Sequence, residues 1–265
     1  MVIKAGLSLP YLASNRSSEY AVCLALVVIL WTSASFAVDL RFQSDGDAAQ
    51  GTAFKIADGV WLTARHVAIS CKAMNIESSE TSLPVERWVL NAQSDIALLL
   101  TEPDIGIGAL SFSPRPPETG EVGLMHGYPK NQAFDLKQRY LGERSLRVPG
   151  RGKKAKQKVS YWAEIKRYPR SAPTELGGAS GAPVLDATGG IIGLHIASIP
   201  RRGRTFSVPP GLLKAFVQSE GVAKPEALIK LRNDHDAALG WLVNGAELRA
   251  FKTIARVRCL LDNAG

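Results

Sequence analysis

The stretch Gly177-Gly178-Ala179-Ser180-Gly181-Ala182-Pro183-Val184 places one serine among small residues, directly before an apolar run that ends at Leu194. Glycines let the backbone turn sharply and leave room for a ligand to approach the main chain. A serine hydroxyl on such a turn can act as a nucleophile, with neighbouring backbone N–H groups stabilising the charge that develops on a substrate oxygen. A glycine-rich hairpin turn would look the same, so the interpretation depends on a base and an acid elsewhere.

A candidate base follows a predicted hairpin in the first half of the chain. Segments 51–57 and 60–63 read as strands, and Asp58-Gly59 between them is a strong signal for a tight turn. His66 comes just after the second strand, where a side chain is well placed to line a cleft. A polar residue at a strand end with no catalytic role is the alternative interpretation.

A candidate acid opens the next strongly apolar strand. Asp95 stands directly before the run 96–100, so its side chain is expected to be at least partly buried. A buried carboxylate without a partner is costly, and a hydrogen-bond donor should therefore lie beside it. A capping or turn role for Asp95 stays open on this segment alone.

These three residues together supply what acyl transfer by a serine requires. Ser180 would be the nucleophile, His66 the general base and Asp95 the acid that orients the imidazole. The backbone N–H groups of Gly178 and Ser180 would form the oxyanion hole.

In these residues the chain resembles the chymotrypsin-fold serine peptidases, in particular their bacterial trypsin-like members. The matching segments lie within residues 40–217 and are Gly51-Thr52-Ala53-Phe54, Leu62-Thr63-Ala64-Arg65-His66-Val67, Asp95-Ile96-Ala97-Leu98-Leu99, Gly127-Tyr128-Pro129 and Gly178-Ala179-Ser180-Gly181-Ala182-Pro183-Val184. The resemblance implies an all-β fold of two antiparallel six-stranded β-barrels, with the site in the cleft between them. Ala179 replaces the acid on which the zymogen switch of the digestive enzymes depends, so that switch is expected to be absent.

A possible substrate preference comes from a second resemblance. Gly193-Leu194-His195 is similar in position to a segment of the bacterial glutamyl endopeptidases, whose histidine lines the specificity pocket. His195 would then donate a hydrogen bond to Glu or Gln at P1. Glu175 falls where those enzymes carry a hydroxyl residue and would repel an acidic side chain if it faced inward, whereas Thr174 would supply a hydroxyl in a shifted register. A preference for small apolar residues, with a structural His195, is the alternative.

The N-terminus has the pattern of a signal peptide. Eleven apolar residues at 21–31 are too few to span a bilayer comfortably, and Ser35-Phe36-Ala37 supplies the small residues of a cleavage site. The mature chain would begin near Val38 and be periplasmic or secreted. An uncleaved membrane anchor is the alternative.

The cysteines and histidines predict no metal site and no cofactor. After removal of the signal peptide only Cys71 and Cys259 remain, which allows one disulfide but implies no disulfide framework. Their spacing fits no zinc site, and the histidines do not cluster with them.

The formal charge of the chain is +8, and much of the excess lies in segment 144–158. Its basic residues are Arg144, Arg147, Arg151, Lys153, Lys154, Lys156 and Lys158. The segment is either a solvated hairpin loop or a docking site for an anionic substrate, lipid headgroup or polysaccharide. Aromatic residues are absent from its densest part, so no specific nucleic acid is expected. A catalytically silent member of the fold that binds anionic surfaces is the alternative function.

The sequence predicts that the 265 residues are divided into four regions. They are a signal peptide at 1–37, an N-terminal barrel at 38–110, a C-terminal barrel at 111–220 and a helical C-terminal extension at 221–265. A segment rich in proline, glycine and serine near residues 103–118 reads as the linker between the barrels. The prediction of helix in the C-terminal extension rests on apolar residues that recur with a helical period among charged residues. They are Leu228, Leu231, Leu239, Leu242, Leu248, Phe251, Ile254 and Leu260.

Overall fold

The computed structural model describes residues 44–45, 48–103, 108–147, 156–222 and 245–261. The proposed signal peptide and the middle of the predicted C-terminal extension lie outside these residues. All described residues belong to one compact unit, Val38–Gly265. None of the helices in this described part of the chain is long and apolar enough to cross a membrane.

Two antiparallel sheets form the architecture. The first contains β1 (Ser44–Asp45), β2 (Ala48–Ala57), β3 (Val60–Thr63), β4 (Cys71–Glu77), β5 (Ser82–Pro84), β6 (Arg87–Leu90) and β7 (Ala97–Leu100), with one strand from the C-terminal end of the chain. The second contains β8 (Val122–Gly127), β9 (Phe134–Arg147), β10 (Lys156–Tyr168), β11 (Pro183–Leu185), β12 (Ile191–Ile199) and β13 (Arg204–Val208).

The second sheet closes into a barrel in the order β10-β13-β12-β11-β8-β9. The single helical turn α1 (Arg65–Ala68) follows β3, and the helix α2 (Pro210–Ser219) follows the last barrel strand and packs on β12. The first sheet is open, and its strands surround the central hairpin of β2 and β3. The prediction of a chymotrypsin-like, two-barrel all-β fold is confirmed, with a closed six-stranded barrel and a half-barrel sheet.

The predicted hairpin of β2 and β3 positions the first half of the site. Gly59 in its turn has a φ of 65°, and a Cβ there would lie 2.7 Å from the Thr101 carbonyl oxygen, so the turn requires glycine. The strand β3 pairs with β7, with Thr63 opposite Ala97. Leu62 on β3 and Leu98 on β7 are at most 2% exposed, and burial of each such side chain contributes about 1.5–3 kcal/mol.

The prediction of a helical C-terminal extension is wrong for its described end. Within residues 245–261 only α3 (Gly245–Ala250) is helical, and it is followed by strand β14 (Ile254–Leu261). This strand lies between β2 and β4 and pairs with both, so the described part of the chain contributes eight strands to the first sheet rather than six. Its buried residues Ala255, Val257 and Cys259 alternate as those of a strand do.

A disulfide fixes this C-terminal strand to the first sheet. Cys71 at the start of β4 is bonded to Cys259 on β14. The two cysteines are 188 residues apart in the chain, so the bond joins the C-terminal segment to the early strands. The sequence allows a disulfide between Cys71 and Cys259 without requiring it, and the structure contains this bond.

Candidate active site

His66 lies on the single helical turn α1 (Arg65–Ala68), which begins directly after β3. Ala64 keeps an extended backbone at the start of the turn, while Val67 and Ala68 are buried and anchor it to the core. The His66 side chain is 13% exposed, so the imidazole is held at the edge of the core and remains partly accessible to solvent.

Asp95 holds His66 through both carboxylate oxygens. One oxygen lies 2.6 Å from the ring Nδ1, and the other accepts a 2.8 Å hydrogen bond from the His66 backbone N–H. The two residues meet because His66 follows β3 and Asp95 precedes β7, which is its hydrogen-bonded neighbour. Since a carboxylate only accepts hydrogen bonds, Nδ1 carries the proton of the neutral ring and Nε2 is its unprotonated nitrogen.

The second barrel also contributes to this pair. The backbone N–H of Asp95 donates to Oε1 of Gln157 at 3.2 Å, and Gln157 is 3% exposed at the start of β10. Sequence reasoning missed Gln157, because nothing in a basic, strand-like segment marks one glutamine as a partner of a residue 62 positions earlier.

Ser180 lies half-buried on a turn that docks against the first sheet. Its carbonyl accepts a 2.8 Å hydrogen bond from the Thr52 N–H on β2, and the N–H of Gly181 donates to the His195 carbonyl at 2.8 Å. Gly181 has a φ of 92°, and a side chain there would collide with the Thr52 carbonyl and the Thr63 hydroxyl. The serine turn therefore sits against the end of β3, from which the helix carrying His66 starts.

Gly178 also adopts a backbone conformation that requires glycine. Its φ is 93°, and a Cβ would lie 2.7 Å from the Tyr128 carbonyl oxygen and 3.2 Å from the Lys130 nitrogen. The turn that follows Gly127 therefore packs directly against the serine stretch.

A comparison with known families identifies the family of the chain. The model of the trypsin-like peptidase domain matches residues 51–194, a range that contains His66, Asp95 and Ser180. The chain belongs to the trypsin-like peptidase family. No curated protein is significantly similar to it in sequence.

Solved structures of similar fold include the Rv3671c protease. Its inactive form has a TM-score of 0.53 at 20% sequence identity, over 64% of this chain and 83% of that one. The active form, from M. tuberculosis, has a TM-score of 0.54 at 20% identity, over 67% of this chain and 76% of that one. At this level of identity the likeness concerns the fold.

His195 of this trypsin-like peptidase lies on β12 beside the serine turn. It is 2% exposed, and burial, followed by the charge of the nearby His66, lowers its pKa to about 3. The ring is therefore neutral at physiological pH. Its Nδ1 is buried without a hydrogen-bond partner among the described residues.

Thr174 and Glu175 are both exposed, unlike His195. The Glu175 carboxylate lies 3.4 Å from the Lys130 ammonium group at the surface, and the Thr174 carbonyl accepts a 3.1 Å hydrogen bond from Arg167. The Glu175 charge thus has a basic partner outside the core, which weakens the repulsion expected from the sequence.

A second histidine–carboxylate pair lies in the closed barrel. Nδ1 of His126 is 2.8 Å from Oδ1 of Asp135, and Arg249 on α3 donates to both oxygens of the same carboxylate at 2.9 and 3.1 Å. Burial by itself would raise the pKa of Asp135, but hydrogen bonds and charges from His126 and Arg249 lower it to about 2. Because His126 is fully buried, this pair fits a structural role in docking α3.

The described part of the basic segment forms the outer end of the hairpin of β9 and β10. Arg144, Lys156 and Lys158 are exposed, and Lys158 forms a 2.6 Å ion pair with Glu143. Arg147 ends β9, whereas Arg151, Lys153 and Lys154 lie outside the described residues. Within the described ranges, no group of three or more His, Cys, Asp or Glu residues could hold a metal ion.

Proposed function

We propose that the protein is an exported serine endopeptidase that hydrolyses peptide bonds through an acyl-enzyme intermediate. The observation that carries this proposal is the pair of hydrogen bonds from His66 to the two oxygens of Asp95. They fix the ring position and leave Nε2 as the basic nitrogen, which is the arrangement that a serine nucleophile requires.

In the acylation step, Nε2 of His66 takes the hydroxyl proton of Ser180 as Oγ attacks the substrate carbonyl carbon. The carbonyl oxygen becomes an oxyanion that the N–H groups of Gly178 and Ser180 stabilise. His66 then gives its proton to the leaving amine, and the C–N bond breaks. In deacylation, water attacks the ester by the same route, His66 returns the proton to Oγ, and the carboxylic acid product leaves.

Labelling with a serine-reactive fluorophosphonate tests the nucleophile. Wild-type protein should be labelled and should hydrolyse peptides, whereas Ser180→Ala should do neither. Ser219→Ala, at the exposed end of α2, is the matched control and should be labelled like the wild type. Absence of labelling in well-folded wild-type protein would favour the catalytically silent alternative.

We further propose a preference for Glu or Gln at P1, with His195 and Thr174 lining the pocket. His195 next to the serine turn supports this preference, because its ring is neutral and its buried Nδ1 has no hydrogen-bond partner among the described residues. A P1 carboxylate or amide could share a hydrogen bond with this ring. The pairing of Glu175 with Lys130 weakens the expected repulsion between Glu175 and an acidic P1 side chain.

A peptide library cleaved by the full chain tests this preference. Cleavage after Glu and Gln, with a loss of that selectivity in His195→Ala, is the expected result. Cleavage only after Lys or Arg would rule out a role for His195 in selection. Cleavage only after small apolar residues would favour the alternative preference.

We also propose that the protein is exported and that residues 1–37 are removed as a signal peptide. The Cys71–Cys259 disulfide supports it, because such bonds persist mainly in oxidising compartments. N-terminal sequencing of the protein from the producing cell should give Val38 as the first residue. An intact N-terminus in the membrane fraction would indicate the uncleaved anchor instead.

The basic hairpin is proposed to bind an anionic surface or polymer. The exposure of Arg144, Lys156 and Lys158 supports this, and Gln157 links the same hairpin to Asp95. Binding to heparin should weaken with added salt and in a variant with these three residues changed to alanine. Equal retention of that variant and the wild type would contradict the proposal.

A further inference from the structure

The hydroxyl of Thr52 makes two hydrogen bonds that concern the serine turn. It donates to the Gly178 carbonyl at 2.9 Å and accepts from the Tyr128 N–H at 3.1 Å. Thr52 is completely buried on β2, so water cannot replace either bond. The first sheet thereby fixes the peptide that follows Gly178.

The peptide that precedes Gly178 is fixed from the second barrel. The backbone N–H of Lys130 donates to the Gly177 carbonyl at 2.8 Å. Lys130 and Asn131 have φ values of 48° and 63°, a left-handed conformation that is costly for a lysine. Backbone strain of this kind is retained where the surroundings enforce it and is concentrated at functional sites.

These contacts decide where the Gly178 N–H points. In a trans peptide the N–H is directed opposite to the carbonyl of the same peptide unit. Because the Gly177 carbonyl faces Lys130, the Gly178 N–H faces away from that turn. The Tyr128 carbonyl and the Lys130 nitrogen already occupy the space that a Cβ on Gly178 would fill, so a substrate oxygen cannot approach from that side.

We propose that Thr52 and the turn Tyr128–Asn131, together called the oxyanion brace, hold the two peptides around Gly178 in the orientation that stabilises the oxyanion. Thr52 and Lys130 are thus positioning residues, and neither touches the substrate. The inference rests on the proposed function, since it assigns the Gly178 N–H to the oxyanion hole. If that peptide turned over, the Gly177 carbonyl would face the developing negative charge and oppose the reaction.

The substitution Thr52→Val tests the brace, because it keeps the shape of the side chain and removes the hydroxyl. We expect kcat to fall about 10- to 100-fold with KM within about threefold, since loss of one oxyanion donor lowers kcat by about 100- to 1,000-fold and the brace acts indirectly. Thr52→Ser restores a hydroxyl and should recover most of kcat. A general packing defect would not be rescued by the smaller serine.

Thr253→Val is the matched control for this substitution. Thr253 is as buried as Thr52, and its hydroxyl has no partner among the described residues. Its valine variant should keep the wild-type kcat. If Thr52→Val lowers kcat no more than Thr253→Val does, the brace has no role in catalysis.

Crystal structures of the wild type and Thr52→Val separate this inference from the proposed function. The expected change is loss of the bond from Lys130 N–H to the Gly177 carbonyl, or a Gly178 φ that leaves the left-handed region. An unchanged Gly178 in the variant would overturn the brace, whatever the activity. Conversely, wild-type protein without peptidase activity would refute the function, while these structures would still test the brace.

Discussion

The two sides of the candidate site are held in different ways. On the first sheet, His66 and Asp95 are joined by direct hydrogen bonds between residues at the ends of neighbouring strands. On the second barrel, the serine turn is held almost entirely through its backbone, by elements that are far away in the chain, such as Thr52 and Lys130. The first arrangement depends on side-chain identity, and the second depends on conformation.

This difference predicts how each side should respond to substitution. A change of functional group should disable the pair of His66 and Asp95 without altering the fold. The serine turn should tolerate no added Cβ at its left-handed glycines, even though a methyl group has no chemistry of its own.

Among the variants that retain Ser180, Asp95→Asn should show the largest fall in kcat. An amide cannot accept hydrogen bonds at both of its terminal atoms, so His66 would lose its fixed tautomer, and kcat should fall by about 10,000-fold. Steady-state kinetics and circular dichroism of the same preparation measure activity and fold together. Asp135→Asn, in the other histidine–carboxylate pair, should lower stability but keep kcat; equal loss in both variants would contradict the assignment of Asp95.

Gly178→Ala should lower kcat by about 100- to 1,000-fold, as expected for loss of an oxyanion donor. The new Cβ would meet the Tyr128 carbonyl, so the peptide must move. Gly142→Ala is a matched control, because Gly142 has a φ of 115° but open space around a Cβ. Backbone strain without collision should leave its kcat unchanged, and a similar loss in both variants would mean that strain alone explains the effect.

The sequence was sufficient for the elements whose contacts are local or repetitive. The hairpin at Gly59, the apolar strands and the positions of His66 and Asp95 at strand ends all follow from patterns within about ten residues. The sequence predicts a helix where strand β14 lies, because Leu248, Phe251 and Ile254 are three residues apart and continue a helical spacing beyond the end of α3. The alternation at Ala255, Val257 and Cys259 is easily overlooked, since alanine and cysteine are weak hydrophobic signals.

The supports of the site could not be predicted from the sequence. The Thr52 hydroxyl bonds to Gly178 and Tyr128, which are 126 and 76 positions away, and Gln157 bonds to Asp95, which is 62 positions away. No local pattern encodes such partners. The family resemblance points to the glycines of the serine turn, but only the structure shows what a side chain there would meet: the Tyr128 carbonyl at Gly178 and the Thr52 carbonyl at Gly181.

The pH dependence of stability tests the burial of His195, whose carbonyl holds the serine turn. Burial lowers its folded-state pKa to about 3, from an ordinary value of 6.5. The unfolded chain therefore binds a proton first as the pH falls below 6.5, and stability is lost progressively towards pH 3. Between pH 7 and 4.5 the wild type should lose on the order of 2 kcal/mol more unfolding free energy than His195→Asn, as measured with urea. Parallel losses in the two proteins would show that His195 is accessible to protons in the folded state.

Gln157→Leu should have the smallest effect, because it removes one hydrogen bond to the backbone of Asp95 and leaves the bonds between Asp95 and His66 intact. A hydrogen bond of this kind contributes about 1 kcal/mol, so kcat/KM should fall about 3- to 10-fold. Gln138→Leu on β9 is the matched control, since Gln138 is also buried but accepts its bond from Thr205 within the barrel. If only Gln157→Leu loses activity, the second barrel supports the acid directly, and the two sides of the site are less independent than their different construction implies. Equal activity of the two variants would leave Asp95 to be held by the first sheet alone.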